Sequence, residues 1–488
     1  MYSVELRWQN FRPFIDTGWI AIKPITVLIG PNNSGKSSVL APLLILNQTL
    51  RSGRARSPLV LRGDLINAGG FSDIVNSHDS KKRVTFSVRF RNSSGSEAPP
   101  ELGEDAPAEC SLTFKAERAA GVIGLHNYSV SDSYGRTMLS RTKKNSSRYT
   151  LDGIEAWATD PEQRVSSEDD VTASPSNRAA EKAVREAMPF HFLFRSRNVM
   201  TEAARAASGE PVDESVPEDE GSDHADKSWT GEPRSLQVSP FVVGYVVTTD
   251  MVEHYMREHV LDLVYLGPLR EAPQRLYEIS GDAPSDVGIR GQFSAELLLR
   301  NQRRSIFNRV DRWLKEFGLE GKVVCRAVTE AAFVLELKTD TATTNFADVG
   351  FGYSQLLPLI VQGLLAQPDT LVIAEQPEIH LNPRLQAKLA GLFQEITKRD
   401  VALLVETHSE HLLLALRRLV AEGALRSDDV AIYFVEATSD QGSHIREVPL
   451  QSNGHIEPTD WPKNFFDESL RESLALASAQ ARRGLNAQ

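Results

Sequence analysis

The sequence predicts an α/β fold whose core is a parallel sheet, with its functional residues gathered at the C-terminal ends of the strands. Three observations predict it. A glycine-rich loop stands between a short β-rich apolar run and a longer apolar run. A second apolar run, far along the chain, ends in a carboxylate. A third ends just before a histidine.

The glycine-rich loop, Gly30-Pro-Asn-Asn-Ser-Gly-Lys-Ser37, fits the phosphate-cradling pattern G-x-x-x-x-G-K-[ST]. Ile25 to Ile29 supplies the strand before it, and Ser38 to Leu46 the helix after it. In that setting successive backbone N–H groups wrap phosphate oxygens, and the positive end of the helix dipole points at them. Gly30 and Gly35 let the loop curl, and Asn32, Asn33, Ser34 and Ser38 complete the cradle. Lys36 is placed to reach the β- and γ-phosphates, and the Ser37 hydroxyl to help hold Mg²⁺. The expected ligands are ATP and Mg²⁺.

Bulk properties set limits. A chain of 488 residues with 41% hydrophobic content can build two or three lobes. A formal net charge of −11 argues against a surface that clamps nucleic acid as a whole, and leaves room for a local basic groove. Cys110 and Cys325 stand far apart without metal-ligand spacing, which suits a reducing compartment. The N-terminus lacks a signal peptide's apolar stretch, and runs such as Pro240 to Val247 are too short to span a bilayer. A cytoplasmic protein with no membrane association is expected.

Around the loop, Ser3 to Arg7 and Gly18 to Ile22 read as strands. Arg83 to Phe90 and Cys110 to Lys115 alternate with period two, as in a half-exposed antiparallel sheet. Residues 1–154 therefore form an N-terminal lobe with a β subdomain. Residues 155–258 read as an insertion, with a helix over Asn177 to Met188. Within it, Ser208 to Asp226 holds eight carboxylates and no Lys or Arg, the composition of a disordered loop. Residues 259–488 form a C-terminal lobe. It opens on Leu263 to Leu266 and Gly267-Pro-Leu-Arg270, continues through an amphipathic helix over Arg303 to Phe317, and ends in alternating helices and apolar strands.

In that lobe Leu371-Val-Ile-Ala-Glu375 is a buried strand delivering an acid to its C-terminal end, and Glu375 is assigned to the Mg²⁺ shell. Val401 to Val405 is a neighbouring strand followed by Glu406-Thr-His408, which places His408 near the γ-phosphate and attacking water. His380 to Pro383 reads as the tight start of the next helix. Upstream, Asp348-Val-Gly-Phe-Gly-Tyr-Ser-Gln355 is a glycine-rich opening to the apolar helix Leu356 to Leu365. A helix N-terminus favours anions. With one nucleotide already on the loop, this second site suits a nucleotide held by another subunit.

These motifs, in this order, resemble the ABC-type ATPases of the SMC, RecF and OLD (overcoming lysogenization defect) kind. The opening Leu6 to Phe11, followed by Ile25 to Asn32, looks like that group's N-terminus, and Arg12 after it joins the nucleotide-binding set. Glu375-Gln-Pro-Glu378, Glu406-Thr-His-Ser-Glu-His411, Tyr265-Leu-Gly-Pro-Leu-Arg270 and Trp461-Pro-Lys-Asn-Phe-Phe-Asp467 resemble the OLD-like branch of bacterial AAA-family ATPases. The resemblance covers roughly 1–90 and 260–470. It implies an α/β P-loop NTPase of ABC-ATPase type, with an antiparallel β subdomain and a partly disordered central insertion.

Two departures matter. Aligned on Gln355, Gly352 occupies the place of the signature serine, with Ser354 the nearby hydroxyl. Gln376 stands where the catalytic glutamate normally follows the Mg²⁺ carboxylate, and it cannot take a proton from water, which leaves Glu378 or Glu406 as base or makes hydrolysis slow. The resemblance implies a homodimer that sandwiches ATP, with higher oligomers open, and a separate effector, by analogy a nuclease, in antiphage defence. No nuclease domain is read in the chain itself. The alternative is a RecF- or SMC-like ATPase that binds DNA directly for repair.

Overall fold

The computed structural model describes residues 4–52, 58–90, 107–117, 122–143, 149–152 and, apart from 302–303 and 439–441, 262–461, with scattered residues over 248–260. The expected helix over Asn177 to Met188, the acidic segment Ser208 to Asp226, Pro240 to Val247, and Phe465 and Phe466 lie outside the described residues. The chain divides into two units. One comprises Met1–Ser52, Leu59–Ser96 and Met256–Gln488, the other Gly53–Pro58 and Glu97–Tyr255.

In the first unit, strands β1 (Val4–Phe11), β2 (Phe14–Asp16) and β3 (Ile20–Ile22) lead into β4 (Ile25–Ile29). Helix α1 (Lys36–Arg51), the short α2 (Phe71–Ile74) and β5 (Val84–Phe90) follow. β1 pairs antiparallel with β2, β3 and β5. Trp8, on β1, is fully buried, donates its indole N–H to the Val39 carbonyl of α1 at 2.9 Å, and meets Phe86 edge-on. That contact seats the helix that follows the glycine-rich loop on the antiparallel sheet. The second unit holds an antiparallel meander of β6 (Pro107–Ala116), β7 (Ile123–Asp132), β8 (Thr137–Lys143) and β9 (Tyr149–Asp152).

The first unit resumes with β10 (Leu263–Leu266), β11 (Tyr277–Glu278), α3 (Ser294–Arg300), α4 (Arg304–Glu316), β12 (Lys322–Thr329), β13 (Ala332–Lys338) and β14 (Thr343–Asn345). Strands β11 to β14 form a small antiparallel sheet. In α4, Ile306, Val310, Trp313 and Leu314 turn one stripe into the core, as their spacing predicts. Next come α5 (Phe351–Leu365), β15 (Leu371–Glu375), α6 (Pro383–Thr397), β16 (Ala402–Glu406), α7 (Glu410–Ala421), β17 (Val430–Thr438) and β18 (Gly442–Glu447).

The central sheet runs β10-β15-β16-β4-β17-β18, parallel except for the final hairpin. All five residues of β4, β15 and β16 are buried, so these strands carry continuous apolar runs rather than an alternating pattern. Asn382 caps α6 by accepting from the Leu385 N–H, with Pro383 in the first turn. The turn at His380 to Pro383 thus opens a helix as its sequence predicts. α1 differs from expectation at its start. It begins at Lys36, two residues before the apolar run, because the loop's Lys and Ser form its first turn.

Candidate nucleotide site

The strand order decides the site. β16 lies between the loop-bearing β4 and the carboxylate-ended β15, with Glu375 opposite Glu406 and Glu406 opposite Leu28 in register. Two carboxylates therefore sit side by side at the C-terminal edge of the sheet, next to the glycine-rich loop.

The loop has the backbone its sequence requires. Gly30 has φ 153° and Gly35 φ 103°, and Asn33 adopts the left-handed conformation at φ 61°. A Cβ on Gly30 would lie 2.2 Å from the Val435 carbonyl oxygen, and one on Gly35 would lie 2.9 Å from Pro13. The second contact brings the β1–β2 turn, which carries Arg12, against the loop. Arg12 is half-buried and burial lowers its pKa, with Asp73 opposing. Asn32 and Asn33 are exposed, whereas Ser34 is buried and its hydroxyl has no hydrogen-bond partner among the described residues. Ser38 continues the first turn of α1, its N–H donating to the Gly35 carbonyl at 2.9 Å.

Lys36 is buried, and its ammonium donates to the carbonyls of Gly30 at 3.0 Å and Pro31 at 2.8 Å. Burial lowers its pKa, while Glu406 and Glu378 pull the other way. The Ser37 hydroxyl donates to Glu406 Oε2 at 2.9 Å. Glu375 is held by Tyr265, whose hydroxyl donates to Oε1 at 2.7 Å. Burial raises the Glu375 pKa, against the hydrogen bonds and the charge of Arg270. Glu406 is pushed up to about 7 by burial first and by Glu375 second, because two like charges share one dry corner. Glu378 is also raised by burial, and its Oε1 accepts the His408 backbone N–H at 2.7 Å. The His408 pKa is lowered, by burial and then by Lys36.

The structure thus gathers Lys36, Ser37, Glu375, Glu378, Glu406 and His408 at one sheet edge. Gln376 joins them with φ 45°, a left-handed backbone for a residue with a long side chain, and its N–H donates to the Glu406 carbonyl at 2.7 Å. The signature-like residues lie at the start of α5. Gly352 faces the turn after Glu378, where a Cβ would come 3.1 Å from the His380 carbonyl. Gln355 is buried, and the side chain of Ser354 lies outside the described residues. Tyr265 and Arg270 were not assigned roles from sequence. The signal was their place at the end of β10, the strand paired with β15.

An ATP–Mg²⁺ ligand fits this donor set. The loop offers an unpartnered buried hydroxyl on Ser34 and a lysine turned back on its own loop. The corner beside Ser37 holds two mutually repelling carboxylates that a cation would relieve. Ser37 and Glu375 would hold the metal through oxygen, as Mg²⁺ prefers, with Glu406 beside them. The metal would neutralise phosphate charge; the chain's own residues cradle, orient and exclude water. Among the described residues no group of three or more His, Cys, Asp or Glu side chains forms a metal cluster of its own.

Residues 1–109 match the family described as "AAA ATPase domain", and residues 249–415 match "AAA domain, putative AbiEii toxin, Type IV TA system". Two separate segments of the chain, one bearing the glycine-rich loop and one bearing Glu375 and His408, thus match AAA ATPase-type domain families. Residues 425–476 of this ATPase match a family of unknown function, DUF3696, which takes in the Trp461 segment. Trp461 is partly buried against the central core, with Arg417 stacked over its ring. No curated protein matches the ATPase.

Similar solved structures are an SMC head bound to the C-winged helix domain of ScpA (13% identity, 92% of this chain and 99% of that one, TM-score 0.40). Others are an SMC head domain from Thermotoga maritima (11%, 92% and 100%, 0.36) and an SMC head with an extended coiled coil bound to the C-terminal domain of ScpA derived from Pyrococcus furiosus (12%, 92% and 96%, 0.37). The parallel strand order and the glycine-rich loop after β4 give the α/β P-loop arrangement, and the two AAA matches agree with it.

Proposed function

We propose that this ATPase is a slow, nucleotide-gated switch. Two copies sandwich two ATP molecules, each copy supplying Arg12, the residues 30–38, Glu375 and His408 to one nucleotide and Gly352 to Gln355 to its partner's. The observation that carries the reading is Gln376. A neutral amide stands in the base position of a site otherwise crowded with buried carboxylates, so the bound state outlives each turnover. Glu406, hydrogen-bonded to Ser37, and Glu378, bonded to the His408 backbone, are the carboxylates left to accept a proton.

ATP occupancy then biases a two-state pair, and the difference in contacts is the switching energy.

The switch acts on a separate effector in the cytoplasm, and we assign the pair to antiphage defence with a nuclease as that effector. The motifs shared with OLD-like ATPases and the match of residues 249–415 to a toxin–antitoxin-type AAA family support this. No described helix is long and apolar enough to cross a membrane.

The test is purification with and without the products of neighbouring genes, followed by DNA and RNA cleavage assays with and without ATP. Cleavage only by the complex, and only with nucleotide, is expected. Metal-dependent cleavage by the lone chain, abolished by a mutation within it, would overturn the proposal. Tight, salt-dependent duplex binding by the lone chain would favour the DNA-repair alternative instead.

A further inference from the structure

Arg270 is 7% exposed, and although the charges of Glu378 and Glu375 act on it, among the described residues it makes no direct ion pair with a carboxylate. Its guanidinium reaches main chain instead. Nη2 donates to the Glu375 carbonyl at 3.2 Å and Nη1 to the Gln376 carbonyl at 3.5 Å, while the buried Nε has no hydrogen-bond partner. A buried arginine used only to stabilise charge would turn its fork onto Glu375 or Glu378. This one brackets the peptide at Gln376.

That peptide needs holding. A glutamine at φ 45° is strained, and such strain persists only where the surroundings over-determine it. The Gln376 N–H is tied to β16 through the Glu406 carbonyl, and Arg270 ties the other side. From the same stretch of chain, the Tyr265 hydroxyl fixes the Glu375 side chain. A neutral amide cannot act by its basicity. It can only orient water, so where it stands matters more than it would for a glutamate.

We propose that Arg270, assisted by Tyr265, is a positioning residue that fixes Gln376 and Glu375 in the geometry needed for hydrolysis. The proposal rests on the ATPase reading of this edge. Arg270 bonds the main chain and its charge also acts on Glu375, while the glycine-rich loop sets most of the nucleotide affinity, so kcat is expected to respond more strongly than binding.

The experiment compares the full chain with Arg270→Lys, Arg270→Met and Tyr265→Phe. Melting temperature, affinity for a fluorescent ATP analogue with Mg²⁺, steady-state kcat and KM, and amide exchange over residues 372–380 are measured. Lysine keeps the charge but lacks the planar fork with which Arg270 spans the Glu375 and Gln376 carbonyls. Arg270→Lys is expected to bind nucleotide within about twofold of the unaltered chain, to lose about tenfold in kcat, and to exchange its Gln376 amide about tenfold faster, with β16 and α6 unchanged. Tyr265→Phe should lose several-fold in kcat, and Arg270→Met more than Arg270→Lys.

Should Arg270→Met fail to fold, Arg270→Lys and Tyr265→Phe carry the test. Unaltered kcat and unaltered exchange at 375–378 in Arg270→Lys would overturn the proposal. So would a loss of kcat matched by equal losses in affinity and melting temperature. Failure of the unaltered chain to bind the analogue would remove the ATPase reading itself, a result separable from all of these.

Discussion

Lys36 holds a buried ammonium on two carbonyls of its own loop, and Glu406 holds a buried carboxyl beside a second acid. Each is a group waiting for an opposite charge. Lys36→Ala should weaken ATP binding on the order of 10- to 100-fold, the loss of a charge-assisted contact to phosphate, with little change in melting. Equilibrium binding of a fluorescent ATP analogue checks this.

Gln376→Glu restores a base at the same backbone position. It should raise turnover or leave it unchanged; a deep loss would show that the amide itself orients water. The pH dependence of the metal-free chain follows from Glu406. Its folded pKa, about 7, lies above its unfolded value, so its contribution to stability is full below that unfolded value. It is lost as pH rises through 7. Melting temperature should fall across that window, and Glu406→Gln should flatten the fall, by an amount on the order of a few kcal/mol. Glu375 and Glu378, raised by burial as well, act in the same direction.

Among the elements, those with one continuous signal were legible in sequence. β4 and β15 fall on the expected residues, and β16 lies one residue beyond the expected Val401 to Val405, because an unbroken apolar run ending in an acid has few other uses in a parallel sheet. The start of α6 was legible because Asn-Pro is a cap followed by a first-turn proline. Element edges were less so. β1 continues to Phe11 because it pairs with β5 as far as Gln9 and then turns back on β2, with Phe11 opposite Phe14, which extends it beyond the apolar alternation.

The partners of the site acids were also hidden. That Ser37 bonds Glu406 while Tyr265 bonds Glu375 depends on strand order, which no local pattern records. Two element-scale tests follow. Asn382→Ala should cost about 1 kcal/mol of stability by removing the α6 cap, measured by denaturant unfolding. Gly30→Ala places a Cβ 2.2 Å from the Val435 carbonyl at a backbone angle alanine avoids, and should abolish nucleotide binding.

In the proposed switch, a glycine-rich loop, two sheet-edge carboxylates, a neutral Gln376 and a glycine-rich helix start act together across the whole molecule. The loop and sheet edge belong to a single unit of the chain; Gly352, in that same unit, faces the turn at His380, and in the proposed switch Gly352 to Gln355 serve a second copy's nucleotide. ATP-dependent pairing is therefore the central claim. Light scattering of the purified full chain, with and without ATP and Mg²⁺, tests it most directly. Nucleotide is expected to double the mass, Lys36→Ala to abolish the doubling, and slow hydrolysis to return the single chain. A mass unchanged by ATP, in a chain shown to bind it, would contradict the account.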